Sequence, residues 1–441
     1  MNNCGEGWRL GRKFRRLRGL RDYLPEDVDK LNYVKSVVRQ LFFLYGYMEV
    51  MTPTLESFDL LAAKSGEEIR QRMYVFTDLG GRKVALRPEM TAPIARFYIN
   101  NMLGRPKPVR LGYIANCFRY DEPQYGRYRE FWQGGFELIG SKAPEADAEI
   151  LEIADALMRR LGFKNHYLKL GHVGVMRAFL GAEGVDELSQ NKVFGLMDKG
   201  RVEDALHALE NLNVSSRCLE VAEALFSLKG FDVIRLIGEA EKLLVDYDAA
   251  KVELENLRQV VECCEACGLK GRLFMDFSFA RGLEYYTGII FEVFVPGIRI
   301  ALGGGGRYDK LIELFGGEPT PAVGYAPGLD RIVLAMEELK IPFKERRVVR
   351  VYVVSASEEL RLRCLEIAHK LREQGIAAEL EVLRRSLRKA LSYANSKGFS
   401  HAIIVGAEEA SRGKIVLKDL NAKVQYEVTL EEAINMLKEK S

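Results

Sequence analysis

Apolar and polar positions change period several times along the first third of the chain. Residues 26–46 carry apolar side chains at helical spacing behind acidic residues, which predicts a helix. The following stretch, YMEVMTPTLE, predicts a strand interrupted by Pro53, and a proline in a strand belongs at an edge or a boundary. Short strands are predicted at 73–76 and 84–86, joined by a turn at 78–81. A polar cluster in LRPEMTA then opens a helix, and such junctions often carry binding residues.

Residues 118–137, FRYDEPQYGRYREFWQGGFE, predict two antiparallel strands joined by a loop with Gly126 at its tip. Arg119, Arg127 and Arg129 lie there among aromatic residues and carboxylates. A guanidinium group is a planar, two-pronged donor suited to polyphosphates and carboxylates. A salt-bridged hairpin on the protein surface explains the same residues equally well, so this stretch alone does not decide between the two interpretations.

The rest of the chain predicts a sheet interrupted by helices, followed by a separate domain. Residues 177–269 are helical in pattern, and strands resume with LFMDFSF, IIFEVFV and PAVGYAP. Beyond residue 348, strands and helices alternate in βαβαβ order, which predicts a parallel-cored sheet with helices on its faces. The predicted divisions are a basic arm (1–24), a first domain in two parts (25–176 and 270–340), its helical insertion (177–269), a linker (341–348) and a C-terminal domain (349–441).

Composition narrows the class of protein only slightly. With 441 residues, 48% hydrophobic and 29% charged, the chain has the profile of a globular protein of two or three domains. A net charge of +3 does not indicate a nucleic-acid binder, but Arg9 to Arg21 includes seven basic residues and no acidic one. That run predicts either a solvated tail or an arm that contacts phosphates. Without a membrane-length apolar run or a signal-peptide core, we expect a cytoplasmic protein that does not bind membranes.

The residues also exclude several kinds of site. Cys263, Cys264 and Cys267 cluster in a helix-like stretch without a second pair, and the five histidines are dispersed, so we predict no structural metal. No phosphate-binding GK[ST] loop is present, and the glycine run 303–306 lacks dinucleotide-binding spacing. Those glycines are expected to let the backbone pack closely against a ligand or a strand. What recurs is arginine beside glycine and tyrosine, at positions suited to neutralising one polyphosphate from several sides.

Taken together, these stretches resemble the histidyl-tRNA synthetase family of class II aminoacyl-tRNA synthetases, from RGLRDYLP to KDL near Asp419. YGYMEVMTPTLE, FRYDEPQYGRYREFWQ and GLDR resemble the three signatures of the class, while LRPEMTA and RGLEYYTG indicate histidine. The resemblance implies an α+β catalytic domain on a mixed, mainly antiparallel sheet with a helical insertion, plus a C-terminal α/β anticodon-binding domain. It also implies ATP with Mg²⁺, L-histidine and tRNA(His) as partners, and a homodimer formed through the segment around Pro53.

The same resemblance implies roles for individual residues. Arg119 would hold the α-phosphate and the amino-acid carboxylate, and Arg281 would place positive charge at the α-phosphate; these two form the catalytic set. Phe131 would stack on adenine and Arg331 would bind the γ-phosphate end. The ATP-binding set is Arg119, Arg127, Phe131 and Arg331. The histidine-binding set comprises Glu89, Thr91 and Gln133 at the α-amino group, Glu137 and Tyr286 at the imidazole, and Arg281, Tyr285 and Tyr308.

Three positions depart from the family pattern: Met90, Glu284 and Pro327. Proline lacks a backbone donor, so Pro327 is the departure that bears on the ATP site. In the C-terminal domain, the basic residues of the predicted helix near 386–396 form a candidate phosphate surface, although a solvated helix start explains them equally well. This cluster comprises Arg384, Arg385, Arg388 and Lys389.

A paralogue without catalytic activity is the main alternative. The regulatory subunit of ATP phosphoribosyltransferase shares GGRYDKL, PAVG and much of RGLEYYTG, but it usually lacks the anticodon-binding domain and loses signature arginines. This chain has the domain after Val349 and keeps Arg119 and Arg331. A synthetase for another amino acid is a third interpretation, which would make LRPEMTA and RGLEYYTG coincidental. The sequence therefore favours the histidine enzyme.

Overall fold

The computed structural model describes residues 15–63, 66–281, 285–344 and 349–440. The chain divides between Phe343 and Lys344 into two compact units. Parts of three predicted features lie outside the described residues: the basic arm before residue 15, Glu284, and positions 345–348 of the linker. Within the described ranges, no helix combines the length and the apolar character that crossing a membrane requires.

Helices and strands alternate irregularly in the first unit. Its helices are α1 (Pro25–Tyr45), α2 (Phe58–Ala62), α3 (Gly66–Gln71), α4 (Thr91–Asn101), α5 (Pro144–Leu161), α6 (Val173–Ala182), α7 (Glu187–Asp198), α8 (Val202–Glu210), α9 (Ser216–Ser227), α10 (Val233–Leu243), α11 (Asp248–Ala266), α12 (Leu311–Leu314) and α13 (Leu329–Glu338). Its strands are β1 (Met48–Glu49), β2 (Leu55–Ser57), β3 (Val75–Thr77), β4 (Lys83–Leu86), β5 (Val109–Phe118), β6 (Glu130–Ile139), β7 (Tyr167–His172), β8 (Lys229–Gly230), β9 (Leu273–Asp276), β10 (Ile289–Phe294), β11 (Gly303–Arg307) and β12 (Ala322–Pro327).

Helix α1 shows why the predicted helices form. Pro25 occupies its first turn, where a missing N–H costs nothing, and Glu26 and Asp27 complement the positive end of the helix dipole. Gly46 ends the helix at φ +71°, a conformation that glycine adopts without strain. The face that includes Val34 and Val38 is fully buried in the main core, so the amphipathic pattern docks this helix on the sheet.

Nine strands form the main sheet, in the order β1-β5-β6-β12-β11-β10-β7-β9-β8. Only the β1–β5 and β7–β9 pairs are parallel, which confirms the predicted mixed, mainly antiparallel sheet. Strands β5 and β6 pair without a break from Val109 opposite Ile139 to Phe118 opposite Glu130, confirming the predicted hairpin. A separate three-stranded antiparallel sheet, β2-β4-β3, lies beside the helix α4 that follows β4 along the chain.

Three local features differ from the sequence-based expectation. The stretch YMEVMTPTLE is divided between β1 of the large sheet and β2 of the small one, with Pro53 in the connection. The glycine run forms strand β11, because backbone pairing with β10 and β12 does not need side chains. The stretch 177–269 is not wholly helical, because β8 pairs with β9 at the sheet edge, and its first helix, α6, already starts at Val173 with the His172 side chain as its cap.

The second unit contains the predicted open sheet. Its strands are β13 (Arg350–Ser355), β14 (Ala377–Leu380), β15 (His401–Val405), β16 (Ile415–Asp419) and β17 (Val424–Val428), and its helices are α14 (Arg361–Glu373), which follows a short 3₁₀ turn (Glu358–Leu360), α15 (Leu387–Ser396), α16 (Ala407–Ser411) and α17 (Leu430–Glu439). The order is β14-β13-β15-β16-β17, parallel across the first three strands and antiparallel across the rest. Separate cores on the two faces confirm the predicted α/β arrangement.

Candidate active site

One cleft in the first unit collects all the residues of the predicted site. It lies against strands β6, β11 and β12, beside the beginnings of α4 and α13 and the loop that joins β5 to β6. The sequence-predicted residues that line it are Glu89, Thr91, Arg119, Arg127, Phe131, Gln133, Glu137, Arg281, Tyr285, Tyr286, Tyr308 and Arg331. These residues span more than two hundred positions of the chain, so their convergence is a property of the fold.

Glu137 lies at the closed end of the cleft. Its carboxylate accepts hydrogen bonds from the Tyr308 hydroxyl and, at 3.3 Å, from the Thr91 hydroxyl. The residue is only 1% exposed, and this burial raises the pKa of the carboxyl to about 8 despite the two hydroxyl donors. A carboxyl group poised near neutral pH can accept a hydrogen bond from a nitrogen heterocycle when it is ionised.

The carboxylate of Glu89 is a second buried hydrogen-bond acceptor, at the start of α4. Its two carboxylate oxygens accept from the backbone N–H groups of Thr91, at 2.5 Å, and Ala92, at 3.0 Å. Burial raises the pKa of Glu89, and these backbone donors oppose the rise. Two carboxyl groups with raised pKa values therefore flank Thr91, a setting that suits a cationic amino group.

Glycines let these side chains approach the sheet. A Cβ atom on Gly304 would overlap the guanidinium group of Arg281, and one on Gly324 would overlap the carboxylate of Glu137. At Gly306 an added Cβ would stand 2.9 Å from the ring of Tyr286. This geometry confirms the expectation that the glycine run allows close packing, and it makes the bare backbone of β11 one wall of the cleft.

Arg119 and Arg331 are fixed by backbone carbonyls at the open end. The Nε of Arg119 donates to Pro88 O at 2.8 Å, and its guanidinium carbon stands 5.3 Å from the centre of the Phe131 ring. Arg331 donates from Nε to Gly126 O at 3.1 Å and from Nη1 to Ala301 O at 3.0 Å. Each guanidinium keeps further N–H groups for a ligand.

The cations of the cleft repel one another. The pKa of Arg331 is lowered to about 10, first by burial and then by the charges of Arg119 and Arg127. Bringing an anion into the cleft relieves this repulsion, because each cation is then close to a negative charge. The open end of the cleft is therefore suited to a polyanion.

The hairpin loop depends on Gly126 at its tip, as predicted. This glycine has φ +64°, Arg127 N donates to Gln124 O at 2.9 Å, and a Cβ on Gly126 would overlap the side chain of Ile300. The backbone conformation therefore favours glycine here, and any larger residue would also require the Ile300 side chain to move. The turn directs Arg127 into the cleft.

Arg281 lies between the two ends of the cleft. Its Nη1 donates to Phe291 O at 3.0 Å and stands 4.0 Å from Oε1 of Glu292. Burial opposes its charged form, but Tyr286 and Glu292 raise the pKa of Arg281 above its ordinary value, so the group stays cationic. A fixed buried cation between a carboxylate pocket and a polyanion pocket can stabilise charge that develops between them.

Several residues that line the cleft were not predicted from the sequence, and one arginine of the hairpin lies elsewhere. Arg129 does not line the cleft; it is buried behind it, over the ring of Tyr120 at 3.7 Å. Glu292 and Asp330 do line it but were not predicted, although the position of Asp330 beside Arg331 in GLDR offered a signal. At the departure Pro327, pairing continues because the next N–H, that of Gly328, donates to Leu302 O at 2.8 Å.

Comparisons with known proteins agree with this geometry. The family model described as "Histidyl-tRNA synthetase" matches residues 19–332, and the one described as "Anticodon binding domain" matches residues 350–440. A "Histidine--tRNA ligase" of Methanocaldococcus jannaschii is 44% identical over 428 residues, covering 96% of this chain and 99% of that protein. A relative of the same name from Pyrococcus furiosus is 39% identical, covering 96% of this chain and 98% of its own length.

A solved structure shows the same architecture. The crystal structure of apo histidyl-tRNA synthetase from S. aureus superimposes with a TM-score of 0.71 at 26% identity, covering 96% of this chain and all of that chain. The match extends over both units, so neither the insertion nor the C-terminal sheet is unusual for that architecture. On the family models, the relatives and the fold, this chain belongs to the histidyl-tRNA synthetase family.

Proposed function

We propose that this chain is a histidine–tRNA ligase that first activates histidine with ATP and then transfers it to tRNA(His). The observation that best supports this proposal is a single cleft with a buried carboxylate pocket at one end, arginines at the other and Arg281 between them. Such an arrangement fits two anionic reactants, an amino-acid carboxylate and a triphosphate, that must be held together before they react. The family relationship supplies the amino acid and the tRNA.

In the proposed first step, a histidine carboxylate oxygen attacks the α-phosphorus of ATP. The bond from that phosphorus to the oxygen bridging to the β-phosphate breaks, giving histidyl-adenylate and pyrophosphate. Arg119 and Arg281 hold the attacking carboxylate and the α-phosphate, while Arg331 and Arg127 take the outer phosphates and Phe131 stacks on the adenine. Fixed cations aimed at developing phosphate charge stabilise this kind of transition state without covalent chemistry by the protein.

The imidazole ring of histidine binds at the closed end of the cleft. Glu137 accepts from one ring N–H and Tyr286 donates to the other nitrogen, with Tyr308 and Tyr285 fixing both groups. Glu89, Thr91 and Gln133 hold the α-amino group. A pocket that hydrogen-bonds both ring nitrogens rejects isosteric side chains that lack them by about 10⁴–10⁵ in catalytic efficiency.

Mg²⁺ is expected to accompany the ATP phosphates. Glu292 is an acidic residue of the cleft beside Arg281, and it fits a single protein ligand for an ion held mainly by phosphate and water oxygens. Among the described residues, no three carboxylate, histidine or cysteine side chains form a ready-made metal site. The ion would neutralise phosphate charge, while the chain's own arginines orient the reacting groups.

In the proposed second step, a ribose hydroxyl of the terminal adenosine of tRNA attacks the histidyl carbonyl and AMP leaves. The second unit would bind the anticodon region through basic residues around the start of α15. Arg384, Arg388 and Lys389 are exposed there; Arg384 lies 3.5 Å from Glu358, and the less exposed Arg385 pairs with Glu381 at 2.9 Å. Exposed cations beside a helix start are suited to phosphate oxygens.

A homodimer is proposed through the segment around Pro53. Phe43 is 87% exposed and Met51 is 82% exposed, next to edge strand β1 of the large sheet. Large apolar side chains clustered at an exposed sheet edge indicate a protein interface. We place the activity in the cytoplasm, where tRNA is charged.

ATP–pyrophosphate exchange with each amino acid in turn, followed by charging of purified tRNA, tests the proposal. Exchange with histidine alone, lost in Arg119→Ala, is the expected result. The absence of exchange, together with binding to a phosphoribosyltransferase, would instead support the regulatory role.

That alternative gains weight from a solved structure described as "ATP phosphoribosyltransferase regulatory subunit/histidyl-tRNA synthetase" from Bacillus halodurans, with TM-score 0.76 and 27% identity over 89% of this chain and 98% of that chain. Arg119 and Arg331 in the cleft and the second unit favour the enzyme.

A further inference from the structure

The basic N-terminal segment is built into the catalytic unit where the structure describes it. Residues 18–23, here called the N-terminal clasp, contact both loop 119–129 and the start of α13. Arg21 and Tyr23 are only partly exposed, in contrast to the solvated tail that the charge pattern allowed.

The clasp meets α13 at the carboxylate of Asp330. Arg21 donates to this carboxylate and Tyr23 donates its hydroxyl at 2.8 Å, while the other oxygen accepts from Trp132 N at 2.5 Å. Asp330 is 4% exposed, so its buried oxygens need these donors as hydrogen-bond partners. The side chain thereby ties together the N-terminal segment, β6 and the first turn of α13.

Arg21 is held in place on its own side as well. Its guanidinium carbon stands 4.2 Å from the ring centres of both Tyr23 and Tyr128. Planar stacking of this kind is available to arginine but not to lysine. Tyr128 belongs to the loop that carries Arg127, so Arg21 contacts α13 and the loop at once.

A second contact joins the clasp to the base of the loop. Gly19 O accepts from Arg129 N at 3.0 Å, and Arg119 N in turn donates to Arg129 O at 2.9 Å. Gly19 has φ +84°, and a Cβ there would stand 2.6 Å from Cδ of Arg129, so another residue would strain the backbone and displace the Arg129 side chain. The path from the clasp to Arg119 therefore runs through one residue.

We propose that Arg21 is a positioning residue for ATP binding: through Asp330 and Tyr128 it holds α13 and loop 119–129 in the arrangement that places Arg331 and Arg119 at the nucleotide. Arg331 directly follows Asp330 and bonds Gly126 of the loop tip, so movement of either element separates the cations. The inference rests on the proposed roles of Arg119 and Arg331 and extends them to a residue outside the cleft.

Steady-state ATP–pyrophosphate exchange on the full-length protein tests the clasp. For Arg21→Ala we expect the KM for ATP to rise ~10-fold, equivalent to ~1.4 kcal/mol, with the KM for histidine changing less than ~2-fold. Arg21→Lys keeps the charge but loses the stacking, so an intermediate rise of about 3-fold is expected. Arg18→Gln is the matched control, because Arg18 pairs with Glu122 at the exposed surface and should leave both constants unchanged.

The possible outcomes distinguish a positioning role of Arg21 from a general effect on folding stability. A lower melting temperature with an unchanged KM for ATP, or equal rises in both KM values, would overturn the proposal. If Arg21→Ala does not fold, Arg21→Lys decides, since wild-type kinetics there would also contradict it. Arg331→Ala is measured in parallel. An unchanged KM for ATP in Arg331→Ala would refute the assigned ATP site. Weakened ATP binding in Arg331→Ala together with normal kinetics in Arg21→Ala would refute only the role proposed for the clasp.

Discussion

Replacing Glu137 by glutamine should make the ligand-free protein more stable and the enzyme less active. The carboxyl is buried, and burial raises its pKa from 4.5 to about 8. Below pH 4.5 the group is protonated in both the folded and unfolded states. Between pH 4.5 and about 8, only the folded state retains the proton, so folding stability falls as pH rises.

The size of this effect follows from the displaced pKa. At ~1.4 kcal/mol per pH unit, the carboxyl costs the folded state about 4 kcal/mol by pH 8. Glutamine has no charge to bury, so the difference in melting temperature between Glu137→Gln and wild type should grow by about 8 °C from pH 5 to pH 8, taking ~2 °C per kcal/mol.

Glu137→Gln should weaken histidine binding even though it stabilises the ligand-free protein. An amide oxygen replaces a carboxylate as the acceptor for the imidazole N–H, which removes about 1.5–3 kcal/mol of charge-assisted hydrogen bonding. The KM for histidine in pyrophosphate exchange should therefore rise about 10- to 100-fold.

Thermal melts of ligand-free protein at pH 5, 6.5 and 8, run beside histidine titrations, measure both effects. Glu122→Gln removes an exposed carboxylate outside the cleft and serves as the control for charge removal alone. A melting difference that stays constant from pH 5 to pH 8 would refute the argument from burial. An unchanged KM for histidine would remove Glu137 from the imidazole pocket.

Three further changes test other parts of the molecule. Gly304→Ala should displace Arg281 and lower the rate of exchange about 10²–10³-fold, as removal of a charge-stabilising donor does, while circular dichroism stays native; a normal rate would show that the strand yields. Phe43→Glu should dissociate the proposed homodimer in sedimentation velocity, and a dimer of normal affinity would move the interface elsewhere. Arg388→Glu should raise the KM for tRNA and reduce its salt dependence without altering exchange, and an equal loss in exchange would argue against a role in tRNA binding.

Local patterns in the sequence predicted most elements, because alternation of apolar residues and helix-start residues are local signals. Strand β11 was not predicted as a strand, since glycine has low strand propensity and its pairing comes from neighbouring strands. The division of YMEVMTPTLE between two sheets likewise depends on distant partners.

In the candidate site, too, local arrangements could be predicted from the sequence and contacts between distant residues could not. Arg119 and Glu137 lie within one hairpin, so their place on the same strand pair could be expected from the strand pattern. The contact of Arg21 with Asp330 joins residues 309 positions apart, and no local pattern indicates it. Residue chemistry was visible in the sequence, but the partner of each buried charge was not.

The glycines of β11 and β12 that line the cleft affect how substitution data on this protein should be interpreted. Gly304 and Gly324 contribute no reacting group, yet a single methyl group at either position occupies the space of Arg281 or Glu137. An activity screen would therefore rank these glycines with the arginines, and loss of function alone would not separate the two kinds of residue. A second substitution separates them: a shorter cation at 281 frees space for an alanine at 304, whose Cβ then meets Phe291 O at 2.8 Å, whereas no change at 304 can replace a missing charge.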